Sequence, residues 1–411
     1  MLLLYNIFLR LYPLGIRIVS IWNKKASLWI KGRRKFPTID KTKTTKTIWM
    51  HCASLGEFEQ GKPLINRIKN DFPSYSIVIT FFSPSGYEIE KNFKGADYIF
   101  YLPYDSPKHA KKFIELIDPT LVLWVKYEYW YYYLLELKRK NIPTLLISGA
   151  FRKDQPFFKW YGNLWKKMLD SFSHYFLQNN SSKVLLENIG VKNITVSGDT
   201  RFDRVINIAA NFDDIPLMKE FCGSSKVIVA GSTWEDDEAE LIHYAKTNPH
   251  IKFVIAPHEV DEENLRDVKK EFTGSIFYSE LNEGNADSTQ IIIIDNIGML
   301  SRLYKYATIT YVGGGFGYDG LHNILEAAVY GKPVIFGPEI DRNFEAEVLI
   351  ECGGGIIIEN ALELEKTLSH LFDNQEELKN RGMAAKNYVY TNAGATQKII
   401  DYIQENRLLT S

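Results

Sequence analysis

Tyr311-Val-Gly-Gly-Gly-Phe-Gly-Tyr-Asp-Gly-Leu-His-Asn-Ile-Leu-Glu-Ala-Ala-Val-Tyr-Gly-Lys-Pro-Val-Ile-Phe-Gly-Pro338 leaves an apolar run, Ile309 to Val312, and enters a cluster of glycines. A helical pattern follows from His322 to Val329, and a second apolar run spans Pro333 to Phe336. The order is strand, glycine loop, helix, strand. Glycines at such a turn, here Gly313 and Gly314, let backbone N–H groups approach a ligand, and a helix N-terminus behind them favours a phosphate. Glycines at the mouths of α/β crossovers also serve packing alone. The polar trio His322, Asn323 and Glu326 tips the reading toward a nucleotide-phosphate site, with Ile324 and Leu325 between them. Asn323 and Glu326 stand three apart and share a helix face. Glu326 is placed to accept two ribose hydroxyls, as acidic residues do in dinucleotide folds. Its plainer role is a helix-start carboxylate.

Outward from this stretch, the chain alternates short apolar runs with amphipathic helical segments. Upstream lie Ile48–Cys52, Ile77–Phe82, Tyr98–Leu102, Leu121–Val125, Thr144–Ile147, Tyr175–Leu177 and Ile194–Val196. After a polar stretch around 203–226 a second series runs Val227–Ala230, Phe253–Ala256, Ser275–Tyr278, Ile291–Ile294, Ile309–Val312, Val334–Phe336 and Ile356–Ile358. Runs of this length separated by helices indicate βαβ units and parallel sheets. The expected class is α/β, with two Rossmann-like doubly wound domains facing a cleft. The expected divisions are an N-terminal segment over 1–35, an acceptor-side domain over 36–205, a nucleotide-side domain over 206–385, and a helix over 386–411 returning to the first domain.

At 411 residues, 45% hydrophobic and 24% charged, the composition is that of an ordinary globular chain long enough for two domains. Three widely spaced cysteines, Cys52, Cys222 and Cys352, form no metal pattern and suit a reducing compartment. A formal net charge of −1 gives no call for a nucleic-acid partner, yet residues 1–50 hold eleven Lys and Arg against the single Asp40. The first 22 residues are apolar, and the basic stretch Lys24 to Lys35 follows them, the reverse of a removable signal peptide. Arg10, Pro13 and Arg17 interrupt the apolar run, which favours a helix lying in the headgroup region with the basic cluster over anionic lipid.

Polar groups recur where strands end. Ser54, Gly56 and Glu57 follow the first strand, placing Glu57 for general-base duty. Lys126-Tyr-Glu128 follows the fourth, amid aromatic residues. In the second series, Ser232 and Thr233 follow the first strand, Pro257 and His258 the second, and Ile297-Gly-Met299 the run Ile291–Ile294. Four strand ends of one domain therefore carry small, glycine or polar groups on one edge. That repetition makes the second domain the nucleotide side.

In order, Ser54-Leu-Gly-Glu57, Ser83-Pro-Ser-Gly86, Tyr101-Leu-Pro-Tyr-Asp105, Glu128-Tyr-Trp130, Gly231-Ser-Thr233, Asp295-Asn-Ile-Gly298, Val312-Gly-Gly314 and His322-Asn-Ile-Leu-Glu326 cover nearly the whole chain. As a set they resemble the Kdo transferases, the 3-deoxy-D-manno-octulosonic acid transferases of lipopolysaccharide synthesis, with a GT-B glycosyltransferase fold. The resemblance implies inverting, metal-free transfer of Kdo from the donor substrate CMP-Kdo to a lipid A precursor. It implies work at the cytoplasmic leaflet of the bacterial inner membrane, with no separate cofactor. It makes Glu57 the base and places CMP against Pro257, His258, Ile297, Gly298, Met299 and Asn323 to Glu326. The chain departs from the family where an acidic residue is usual and Lys126 stands, where a Lys is usual and Arg201 stands, and where Pro-Arg-His is usual but Pro257-His258 stands. Lys126 and Arg201 then become candidate charge stabilisers for the sugar carboxylate or the acceptor phosphates.

Three other readings compete. A sugar-nucleotide epimerase of the same fold would use the same nucleotide site but needs no basic, apolar N-terminus. A nicotinamide dehydrogenase lacks its fingerprint, because no Gly-x-Gly-x-x-Gly opens the first βα turn. A non-catalytic membrane-binding protein leaves Glu57 without purpose. For a large phosphorylated lipid acceptor, residues 151–169 offer Arg152, Lys153 and an apolar stripe of Phe157, Trp160, Tyr161, Leu164, Trp165 and Met168 on one helix expected to start at Pro156.

Overall fold

The computed structural model describes residues 1–40, 46–126, 128–317, 320–341 and 343–410, so that Tyr127, Tyr318 and Asp319 of the stretches quoted above lie outside the described residues. By contact density the chain divides into two compact units, Met1–Arg204 with Ala393–Ser411, and Val205–Asn392.

The first unit is built on seven parallel strands: β1 (Lys46–Cys52), β2 (Tyr75–Phe81), β3 (Tyr98–Tyr101), β4 (Pro119–Val125), β5 (Thr144–Gly149), β6 (His174–Leu177) and β7 (Ile194–Val196). Their order is β3-β2-β1-β4-β5-β6-β7. Parallel strands are covered on both faces and so read as unbroken apolar runs. Ile48 and Met50 enter one core with Ile77 and Leu123, while Trp49 between them enters the other with Trp124 and Tyr133. Helix Ala395–Glu405 closes the first of these cores with Ile399, Ile400 and Ile403. Asp203 caps the start of that helix, accepting from the N–H groups of Gly394 and Thr396 at 2.6 Å each.

The second unit repeats the plan with β8 (Lys226–Thr233), β9 (Ile251–Pro257), β10 (Ile276–Phe277), β11 (Ile291–Ile293), β12 (Ile309–Val312), β13 (Val334–Phe336) and β14 (Gly355–Ile357). These are ordered β10-β11-β9-β8-β12-β13-β14, again parallel throughout. In each sheet the winding reverses once. The reversal falls between β1 and β4 in the first unit and between β8 and β12 in the second. Crossovers leave such a pair in opposite directions, which opens a crevice at the strands' carboxyl ends.

At the N-terminus, α1 (Leu2–Val19) and α2 (Lys24–Gly32) form a hairpin, joined through the Asn23 cap. One side of α1 is tied to the first unit. Tyr5 donates to Asp105 at 2.6 Å, Tyr132 donates to Asn6 at 2.6 Å, and the Tyr12 ring lies 5.5 Å from Trp29. No residue of α1 is buried, and Leu3, Leu11 and Ile18 stand well exposed. Pro13 sits inside the helix without ending it, and α1 is long and apolar enough to cross a membrane by length and composition.

Candidate active site

In the first unit the crevice between β1 and β4 is lined by residues at the two strand ends. The chain leaves β1 at Cys52 and turns into α3 (Leu55–Asp71), with Ser54 as its cap. The Glu57 side chain folds back to accept from the Ser54 N–H at 3.0 Å and from the Ser54 hydroxyl. Both bonds fall on Oε2. A capping carboxylate and a base are therefore compatible here: one oxygen is fixed, and Oε1 has no hydrogen bond among the described residues. Gly56 is exposed beside it.

Glu128, beyond β4, is held by two neighbours. Trp130 Nε1 donates to Oε2 at 3.1 Å, and His51 Nε2 lies 3.6 Å from the same oxygen. His51 is fully buried at the end of β1, with Nδ1 2.9 Å from the Thr80 hydroxyl and its ring 4.4 Å from Trp124. His51 carries no signal in the sequence, because a histidine inside an apolar strand reads as core until its partner is known.

Lys126 takes a positive φ of 52° at the end of β4 and is almost buried. Arg201, the other candidate charge stabiliser, is tied to an acid near it. Arg201 is committed to Asp199, donating from Nε at 2.9 Å and from its backbone N–H at 2.8 Å, with Nη2 at 2.8 Å. Gln178 donates to the same carboxylate at 2.6 Å. Burial pushes the Asp199 pKa up, but the Arg201 guanidinium and its hydrogen bonds, aided by the Lys126 ammonium, hold it below the usual carboxylate range.

Arg152 and Lys153 are solvent-exposed, and Arg152 pairs loosely with Asp154 at 3.5 Å. The single helix expected from Pro156 is broken in two, a 3₁₀ turn over Pro156–Phe158 and a helix over Asn163–Leu169. Between them the chain folds so tightly that a Cβ on Gly162 would stand 2.2 Å from the Pro156 carbonyl oxygen. Phe157, Leu164 and Met168 go to the core, whereas Trp160 is 92% exposed.

In the second unit the glycine loop after β12 packs against the end of β8. The Gly313 N–H donates to the Gly231 carbonyl at 2.9 Å and the Gly314 N–H to Asp237 at 2.8 Å. Both donors are thus spent inside the protein, which corrects the expectation that they cradle a phosphate. The glycines serve close approach: a Cβ on Gly313 would lie 2.3 Å from the Ser232 carbonyl oxygen, and Gly314 has φ +90°. The helix expected over His322 to Val329 is a single turn, Leu325–Ala328, so no long macrodipole stands behind the loop. Ile324 and Leu325 are 1% exposed and belong to the core.

Asp237 organises this corner. It also accepts from the Trp234 N–H at 3.0 Å and the Tyr311 hydroxyl at 2.8 Å, and is itself 1% exposed. Burial raises its pKa against those three bonds. Next to it Glu238 accepts from the Thr233 hydroxyl at 2.7 Å. Burial, opposed by that bond and helped by Asp237, pushes Glu238 up to about 7. Thr233, predicted to touch the ligand, is buried and engaged with Glu238 instead. Ser232 stays partly open with φ +54°.

The structure does bring His258 and His322 together, from the ends of β9 and β12. Their rings stack at 4.4 Å and 19°, and Trp234 from the end of β8 stacks on His258 at 4.7 Å. Trp234 Nε1 donates to His322 Nε2 at 3.0 Å, which leaves Nδ1 to carry the proton of a neutral His322. Asn323 donates to Glu326 at 3.3 Å and accepts from the Leu325 N–H, pre-forming the expected pair. Pro257 ends β9 in the core. Ile297 is exposed beside Gly298, whose φ is +99°, and Met299 is half-buried after it. Three stacked rings with polar edges, an open serine and a carboxylate–amide pair form a surface suited to a nucleotide.

Residues 30–204 match the family model described as 3-Deoxy-D-manno-octulosonic-acid transferase (kdotransferase). The chain is 29% identical over 356 residues to the 3-deoxy-D-manno-octulosonic acid transferase of Aquifex aeolicus, covering 84% of this chain and 92% of that one. To the enzyme of the same name from Haemophilus influenzae it is 26% identical over 377 residues, covering 87% and 86%. In fold it resembles UDP-GlcNAc 2-epimerase from Neisseria meningitidis, with a TM-score of 0.64 at 16% identity over 88% of this chain and 100% of that one. MurG of Acinetobacter baumannii superposes with a TM-score of 0.52 at 12% identity over 88% and 100%. Two doubly wound parallel sheets in one chain are the GT-B arrangement. With the order of its strand-end motifs, the winding of both sheets and these relatives in agreement, the chain is similar to the Kdo transferases over most of its length, matches their family model over residues 30–204, and is a glycosyltransferase.

Proposed function

We propose that the protein transfers Kdo from CMP-Kdo to a lipid A precursor at the cytoplasmic face of the inner membrane. The observation that carries the reading is Glu57, at the winding reversal of the first unit, with Oε2 fixed by Ser54 and Oε1 open. In the reaction Oε1 takes the proton of the acceptor hydroxyl while that oxygen attacks the anomeric carbon of Kdo. The bond to the CMP phosphate breaks with its electron pair, and the configuration inverts. On the donor side the stacked rings of Trp234, His258 and His322 offer a base or ribose a face, and the imidazole edges offer donors to the phosphate. Asn323 and Glu326 take ribose hydroxyls. The net positive charge of Lys126, Arg201 and Asp199 suits the Kdo carboxylate. In this reading the leaving phosphate is held by hydrogen bonds and not by a cation.

Membrane association rests on α1, whose Tyr5 and Asn6 contacts moor one side to the enzyme while an apolar side stays exposed. That arrangement suits a helix lying in the leaflet surface. The decisive experiment supplies purified full-length protein with CMP-Kdo and a detergent-dispersed tetra-acylated lipid A precursor, then weighs the lipid product. A mass gain of one or more Kdo units is expected. A lipid of unchanged mass, or release of an epimerised free sugar nucleotide, would overturn the proposal.

A further inference from the structure

Where α1 and α2 diverge, a cavity of about 410 Å³ opens between them, walled by Arg17, Ser20, Ile30, Arg33, Arg34 and Tyr104. Three guanidinium groups meet there and no carboxylate lines the wall. Arg33 forms the floor and is fixed by carbonyl oxygens: Nε donates to Leu102 at 2.8 Å and Nη2 to Phe82 at 2.7 Å, with the plane 4.2 Å over the Trp29 ring. Carbonyls satisfy its hydrogen bonds, and burial lowers its pKa to about 10 against the opposing pull of the surrounding tyrosines and Glu128. Arg17 and Arg34 are exposed at the rim and form no ion pair among the described residues. On the α1 side of the rim the surface is apolar, with Leu14, Ile18, Ile21 and Trp22 between 53% and 80% exposed. A charged recess beside an apolar ridge matches a molecule with an anionic head and acyl tails.

We propose that this cavity binds the phosphate headgroup of an anionic membrane phospholipid, with Arg17 and Arg34 closing on the phosphate and the acyl chains lying along α1. The site is independent of the transfer reaction and would anchor the enzyme at one depth and orientation, which diffuse surface charge does not do.

The test measures partition of the full-length protein into vesicles of phosphatidylcholine, with and without phosphatidylglycerol, for wild type, Arg17→Gln/Arg34→Gln and Lys24→Gln/Lys25→Gln. Both double variants remove two charges, but Lys24 and Lys25 lie outside the cavity. A loss of affinity for the anionic vesicles well above the roughly 30-fold that two diffuse surface charges give, at about fivefold each, is expected for the arginine pair, with binding to neutral vesicles unchanged. The lysine pair should lose clearly less. Equal losses for the two pairs would reduce the effect to diffuse charge and overturn the site. Inorganic phosphate at roughly physiological concentration is the third arm: displacement of wild type from the vesicles would make free phosphate the ligand and overturn the lipid assignment, and no displacement supports it. Circular dichroism of each variant checks that it folds, and an Arg17→Lys/Arg34→Lys pair, which keeps charge but loses the guanidinium forks, should recover part of the affinity.

Discussion

Truncating Asp237 to Ala removes the acceptor for three donors at once: the N–H groups of Gly314 and Trp234 at 2.8 and 3.0 Å, and the Tyr311 hydroxyl at 2.8 Å. A buried donor left without a partner costs about 1–3 kcal/mol. Three such costs are not additive, because a water can enter the space vacated by the carboxylate. The loss expected is about 3–5 kcal/mol, a large share of the ~5–15 kcal/mol that holds a typical domain together. In a unit the size of residues 205–392, each kcal/mol shifts the melting temperature by roughly 2–4 °C, so the Ala variant should melt about 10 °C lower. Asp237→Asn is the informative partner. Its carbonyl can occupy the Oδ2 position and keep both backbone donors, while its amide turns toward the Tyr311 oxygen. Charge assistance is lost and the Tyr311 hydroxyl proton gives up its acceptor, together on the order of 1–3 kcal/mol. Thermal melts with CMP present and absent read stability and the integrity of the loop together. If Asn were as damaging as Ala, the carboxylate's charge and not its geometry would hold the loop. If Ala were harmless, the bracing described above would be wrong.

Glu57→Gln should keep the fold and CMP binding but lose on the order of 10²–10⁴ in turnover, measured by lipid-product mass; near-wild-type turnover removes it as the base. Glu238 has a folded pKa of about 7 against 4.5 for the free side chain, so its protonated form adds stability that is complete below pH 4.5 and lost as pH rises through 7. Glu238→Gln does not titrate there, and between about pH 4.5 and pH 8 it should gain roughly 2 kcal/mol on wild type after allowance for partial solvent screening; a constant difference in denaturant midpoints refutes the shift. Gly313→Ala drives a methyl into the Ser232 carbonyl at 2.3 Å and should weaken CMP-dependent stabilisation as well as lower the melting temperature; an unchanged melt would show that the loop yields freely. Transfer should survive exhaustive chelation with EDTA, and recovery of a lost activity by Mg²⁺ would replace the metal-free mechanism.

Every strand of the two sheets was legible as an apolar run, since strands buried on both faces need little beyond continuous hydrophobicity. What periodicity could not see was where the backbone must turn. In 151–169 the apolar spacing of three and four fits one helix, but Gly162 lies against the Pro156 carbonyl and divides it. Around the glycine loop the sequence did not show where the backbone donors go. Asp237 reaches across 77 residues to the Gly314 N–H, and nothing local to either residue announces the bond. Trp234, one residue past Thr233, likewise carries no local signal. Its indole matters because β8, β9 and β12 are neighbours in the sheet, which stacks its ring with His258 and His322. A strand-end glutamate, in contrast, needs no distant partner to be noticed, and Glu57 was singled out by its place in the loop after the first strand.

Lys126 and Arg201 illustrate a different limit. Taken one position at a time, a Lys where the family usually has an acid removes a negative charge from the acceptor side and adds a positive one. Placing two cations in one corner would be costly on that account. The structure supplies the missing anion at Asp199, which is 5% exposed, grips Arg201 through three contacts and is stabilised in its ionised form by the Lys126 ammonium. The three groups therefore sum to a single positive charge. An acid has not vanished from this corner but stands on the segment after β7 instead of the one after β4. It follows that Lys126 and Asp199 are to be weighed as a pair: removing the Lys126 charge alone leaves Asp199 dependent on Arg201, and removing Asp199 alone leaves two cations facing each other in a site nearly closed to solvent.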